Sequence, residues 1–157
     1  MSQTQHTQML GGWIDAPESD RAFLEAKGIT CLSFDKAKQV WNVIVSPEAF
    51  EQLDPEWGRW IWRLAPVDPA VAAAFFQAII LDASKREVEL TVRYRRPQYG
   101  DQVFQFTGYP EAGPEDFSLH YWGDHSLNHR YEDVVSVVPT LSSSELARRG
   151  ECTPCVL

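Results

Sequence analysis

Residues 68–81 read DPAVAAAFFQAIIL and predict a helix that is apolar on every face. Asp68 suits the N-cap, and Pro69 suits the first helical position, where proline's missing N–H would have no partner anyway. Across 70–81 the sole polar side chain is Gln77. A surface helix carries one apolar stripe, whereas one that is apolar all round is expected to be wrapped by the rest of the fold. Clean alternation follows over 87–95: Val88, Leu90, Val92 and Tyr94 share one face, and Glu87, Glu89, Thr91, Arg93 and Arg95 the other. That is the pattern of a strand with one side on a core. The two together predict an α+β fold, an antiparallel sheet wrapped around a buried central helix.

Outward from this centre, 29–34 and 40–45 are β-branched or aromatic runs separated by the polar turn DKAKQ, and they read as a hairpin. Three capping residues each followed by proline, Ser46-Pro47, Asp54-Pro55 and Asp68-Pro69, predict three helix starts. The second of these helices is expected to carry Trp57, Trp60 and Trp62. Strands are expected at 102–107, 117–122 and 127–138, the last two pairing across a turn at 123–126. A short N-terminal helix over 17–27, stopping at Gly28, and a short C-terminal helix over 144–149, stopping at Gly150, complete the elements. Residues 1–10 read as a flexible tail, 11–150 as a single α+β domain, and 151–157 as a flexible tail containing Cys152 and Cys155.

A chain of 157 residues can bury a sizeable core without disulfide or metal staples, and 44% hydrophobic content is that of a globular protein. The net charge of −8 argues against a nucleic-acid backbone as partner, since phosphate contacts need concentrated Lys and Arg. No run approaches the ~18 apolar residues of a membrane span, and MSQTQHTQ lacks the basic start and apolar core of a secretion signal. A cytoplasmic protein is expected. Three cysteines, Cys31, Cys152 and Cys155, are too few for a disulfide scaffold. The CTPC pair at 152–155 has redox or half-zinc spacing without a second pair elsewhere, so a reduced tail and no cofactor are expected.

The segment EVELTVRYRRPQYGDQVFQF (87–106), with Arg96-Pro97 and Gly100-Asp101 between its two strands, resembles the second and third strands of hotdog-fold proteins. HRYEDVVSVVP (129–139) is similar to a hotdog's last strand, and the resemblance covers roughly 40–139. It implies a homo-oligomer, assembled through strand edges or the central helix. It also implies thioester hydrolysis or dehydration, with a carboxylate or histidine near the central helix polarising or attacking a thioester carbonyl. Asp68 and Gln77 are the positions that match, as the catalytic candidates. The His-Gly-Gly and Asp-plus-Gly-His signatures of several hotdog thioesterase families are absent.

Each candidate also has a plainer reading. As a helix cap, the Asp68 carboxylate accepts backbone N–H groups and loses basicity. A buried Gln77 amide needs a partner, which can be a neighbouring backbone group or a ligand carbonyl. Trp57 and Trp60, on one face of the expected helix, can line an apolar ligand site, with Arg59 and Arg63 rimming it for an anionic group; core packing and a solvated face are the alternatives. His120 and His129 fall opposite each other if Asp124 and His125 form the tip of the turn, so they can hold a metal, with Asp124 or Asp133 as a third ligand. Otherwise they sit on a polar outer sheet face. Two functions follow. One is an acyl- or apolar-ligand-binding protein of hotdog-like architecture, with thioester hydrolysis as the activity the resemblance implies. The other is a non-enzymatic, acidic protein-interaction module such as an inhibitor, immunity or regulatory protein.

Overall fold

The computed structural model describes residues 8–126 and 128–139. The first half contains strand β1 (Leu10–Asp15), helix α1 (Arg21–Ala26), strands β2 (Thr30–Asp35) and β3 (Val40–Val45), helix α2 (Pro47–Leu53) and strand β4 (Ile61–Pro66). The second half contains the 18-residue helix α3 (Pro69–Arg86) and strands β5 (Leu90–Arg95), β6 (Val103–Ala112), β7 (Asp116–Tyr121), β8 (Asp124–His125), β9 (His129–Arg130) and β10 (Val134–Pro139). The fold is α+β, with antiparallel sheets and one long helix. Four strands form one sheet in the order β2-β3-β1-β4, and the second sheet runs β10-β5-β6-β7-β8, with β9 also on β7.

Period-two alternation gives the first sheet two apolar faces. In β3, Trp41, Val43 and Val45 join Leu24 of α1 and Leu53 of α2 in one core, while Ile44 faces the other way into the core of α3. The second sheet buries Leu90, Val92 and Tyr94 of β5 and Val134 and Val137 of β10 in that same core. The sheets meet where the Val137 backbone N–H donates to the buried Thr30 Oγ1 at 2.9 Å, a side chain standing in for a ladder bond between β10 and β2.

The expected central helix is present and extends to Arg86, capped by the Asp68 carboxylate, which accepts from the Ala70 N–H at 2.8 Å. Its surroundings differ from the expectation of burial on all sides. Ala72, Phe76, Ile80 and Ala83 form a buried stripe, whereas Val71 and Phe75 are 47% and 42% exposed. The apolar side chains off the core stripe serve other faces: Ala70, Ala73 and Ala74 line one cleft, and Ala78 and Ile79 line another.

Three other expectations are corrected. The helix expected to carry three tryptophans is a single 3-10 turn, Asp54–Glu56, followed by β4. Gly58, with φ 106°, breaks the helical course, and Trp62 and Leu64 then alternate inward with Ile61 and Arg63 outward. Strand β1 was not expected, because Gly11 and Gly12 lower strand propensity. The packing explains them: a Cβ on Gly12 would collide with the Arg63 backbone carbonyl, and one on Gly11 would lie 2.5 Å from Val67. Leu10 therefore belongs to the sheet, not to a tail. The remainder of that tail (1–7), the helix expected at 144–149 and the cysteines at 152 and 155 lie outside the described residues. Third, the β7–β8 turn has its tip at Trp122-Gly123, both at positive φ (51° and 87°), as a two-residue hairpin of the primed type needs.

Candidate functional site

A groove lies where the C-terminal half of α3 crosses the junction of the two sheets. It is open and about 320 Å³ in volume. Leu32 of β2, Ile79 of α3, Leu90 of β5, and Val137 and Pro139 of β10 provide apolar walls, with Val88 beside them. Strand and helix periodicity make this possible: Ile79 lies next to the buried Ile80 on the helix, and Leu32 projects from the first sheet toward the α3 core. Two guanidiniums stand in the lining. Arg21 is paired with Glu25 at 2.9 Å, Arg86 with Asp82 at 3.5 Å, and both side chains remain substantially solvent-exposed.

Cys31 also lines the groove. Burial pushes its thiol up to about 12, with the neighbouring Glu25 charge adding to the rise and Arg21 opposing it. The thiolate is the nucleophile, so this cysteine is inert at neutral pH. An apolar trough rimmed by arginines, with its thiol held protonated, is suited to binding and offers no activated nucleophile.

The predicted site residues lie elsewhere and mostly apart. Asp68 is exposed and occupied as a cap. Gln77 is nine residues further on, about 13 Å along the helix axis, and its Nε2 donates to the Pro114 carbonyl at 3.0 Å. Its partner is therefore a neighbouring backbone group. Gln77 lines an open cleft of about 400 Å³ that does not include Asp68.

Trp60 is fully buried, and its Nε1 donates to Asp20 Oδ2 at 2.9 Å. Trp57 is 59% exposed and stands edge-on to Trp62 at 4.7 Å. Trp57 and Trp60 thus do not share a pocket wall. Arg59 lies over the rings of Phe23 and Trp60 at 4.9 and 4.8 Å, and Arg63 points outward from β4. Without the expected helix the two arginines share no rim.

The histidine pairing is also corrected. His120 is opposite His125, their rings 5.8 Å apart, and His129 is opposite Phe117. The tip at Trp122-Gly123 gives His120 the partner His125, and one extra residue between β8 and β9 shifts the register again, setting His129 opposite Phe117 and so on the other face from His120. His120 Nε2 lies 3.0 Å from Glu111 Oε1 and 3.1 Å from Ser118 Oγ. Among the described residues no three His, Cys, Asp or Glu side chains are grouped to hold a metal.

His129 is 4% exposed, packed against Tyr94 at 4.0 Å and Phe117 at 5.4 Å. Burial lowers its pKa to about 4, and the Arg96 charge adds to the effect, so the ring is neutral at physiological pH. Sequence reasoning missed the groove because its lining comes from β2, α3, β5 and β10, which are distant in the chain. No helix among the described residues is long and apolar enough to cross a membrane. Compared with protein-family models, curated proteins and solved structures, the chain finds no match in any of the three.

Proposed function

We propose that this protein binds a small apolar or acyl ligand in the groove between α3 and the junction of β2, β5 and β10. The observation that carries the reading is the lining itself: apolar side chains from three strands and α3, with Arg21 and Arg86 as its cationic members and Asp82 as its acidic one. Such a site accepts a short hydrocarbon chain that ends in a carboxylate, the chain desolvated and the head group paired with a guanidinium. Its volume is at the small end of ligand sites. The hotdog-like reading belongs with this proposal and rests on the packing of α3 against the sheet built from β5, β6 and β10. A second copy covering Val71 and Phe75 would complete the oligomer that reading implies. Thioester hydrolysis is the further step of the same reading, and nothing in the groove supplies its nucleophile.

The test is calorimetric titration of decanoate into the wild type, Ala78→Phe and Arg86→Gln. Ala78 lines the groove from the exposed side of α3, so a phenyl ring there fills space without disturbing the core. The proposal expects saturable wild-type binding, at least a tenfold loss in Ala78→Phe, and a loss in Arg86→Gln for decanoate but not for decanol. Equal binding by the wild type and Ala78→Phe, or no binding, refutes it. A Gln77→Ala variant with wild-type affinity removes Gln77 from any role.

One observation favours the second reading, a protein-interaction module. The exposed Trp57, the Trp62 to which it stands edge-on and the exposed Ile61 sit on or beside β4, an edge strand of its sheet. Aromatic anchors on an unpaired edge are typical of docking surfaces.

A further inference from the structure

A separate, smaller cleft of about 180 Å³ lies where the turn after β5 meets β9 and the start of β10. In a chain of net charge −8, three arginines line it: Arg95, Arg96 and Arg130. Two have carboxylate partners. Arg95 is paired with Glu48, and Arg130 with Glu132 at 3.4 Å. Among the described residues Arg96 has no carboxylate within ion-pair distance, although it is half-buried. Pro97 restricts Arg96 to extended backbone (φ −120°, ψ 118°), which limits the directions its side chain can take.

The inner wall includes His129, whose Nε2 is sealed from solvent and has no hydrogen-bond partner among the described residues. A buried, unpaired polar atom is costly and calls for an explanation. The ring is neutral, so Nε2 can carry the proton and donate it. The one acidic member of the lining is Asp133, its carboxyl pushed up by burial and by the Glu132 charge and drawn back down by Arg130 and Arg96.

We infer that this cleft is a site for a small oxyanion, a phosphate or carboxylate group, held by the Arg96 fork and by the His129 Nε2–H. The planar guanidinium matches either group with two parallel N–H bonds, and an anion oxygen gives His129 its missing acceptor. The site is independent of the apolar groove, and either can fail without the other.

The test is an NMR titration of the full chain with inorganic phosphate and, separately, with acetate, each against sodium chloride at matched ionic strength. The readouts are the His129 ring and Arg96 Nε–H resonances. The expected result is a saturable shift of both resonances with phosphate or acetate but not with chloride. Whichever anion produces it identifies the class. Arg96→Gln should weaken binding at least tenfold, while Lys38→Gln, on the far hairpin turn, should leave it unchanged. If Arg96→Gln does not fold, the wild-type titration against chloride still decides. Shifts no larger than those with chloride, or an undiminished response in a folded Arg96→Gln, overturn the inference.

Discussion

Replacing Thr30 by valine tests how the two sheets are joined. Thr30 is 1% exposed, and its hydroxyl oxygen accepts the Val137 N–H at 2.9 Å. Valine keeps the branched shape but removes the acceptor, leaving a backbone donor buried without a partner. That costs about 1–3 kcal/mol. For a chain of this size each kcal/mol lowers Tm by about 2–4 °C, so a drop of about 2–12 °C is expected. Thr30→Ser keeps the oxygen and loses one methyl group, about 0.8 kcal/mol of burial. The valine variant should therefore be the less stable of the two. Thermal unfolding gives the global effect, and hydrogen exchange at the Val137 amide localises it, each 1.4 kcal/mol of easier opening meaning about tenfold faster exchange. Because Val137 also lines the groove, decanoate binding should weaken with it. An unchanged Tm together with unchanged Val137 exchange would refute the argument that this hydroxyl couples the sheets.

Other expectations are shorter to state. His129 has a folded pKa of about 4 against an unfolded value near 6.5, so the unfolded chain takes up the proton first. Stability from this residue is therefore full above about pH 6.5 and falls by about 1–3 kcal/mol as the pH drops toward 4; urea unfolding across that range should show the slope, and His129→Gln should flatten it. Gly12→Ala should destabilise by more than about 2 kcal/mol, because its Cβ meets backbone at Arg63, whereas Gly11→Ala meets the end of the Val67 side chain and should cost less. Chemical denaturation of the two variants ranks them. Cys31, its thiol pushed up to about 12, should resist iodoacetamide at pH 8 in the folded protein and react once unfolded, as read from its peptide mass.

Local chemistry was legible without a structure. Ser46 and Asp68 announce helix starts because short polar side chains next to proline satisfy free N–H groups, and both cap as expected, Ser46 Oγ accepting from Ala49 at 3.1 Å. The hairpin of β2 and β3 follows from two β-branched or aromatic runs around a polar turn, and the inward face of β5 from alternation. The Trp57–Trp62 segment misled because Asp54-Pro55 does start a turn, but one too short to propagate once Gly58 leaves the helical region. β1 escaped because its glycines are explained by the neighbouring strand they touch, not by their own propensity. The histidine pairing failed for a similar reason: the turn tip sits two positions earlier than expected, and a shifted tip re-pairs every cross-strand neighbour.

The sequence by itself determined the α+β class, the long helix, the caps and the face of β5 that is buried, since each depends on residues within a few positions of one another. Only the tertiary structure decided that α3 is buried along one stripe, that β2 and β10 join two sheets, and that the groove and the arginine cleft exist. Those features place residues 30 and 137, or 96 and 130, side by side. Proximity across such separations is set by the packing of whole elements, and single-residue propensity carries no information about it.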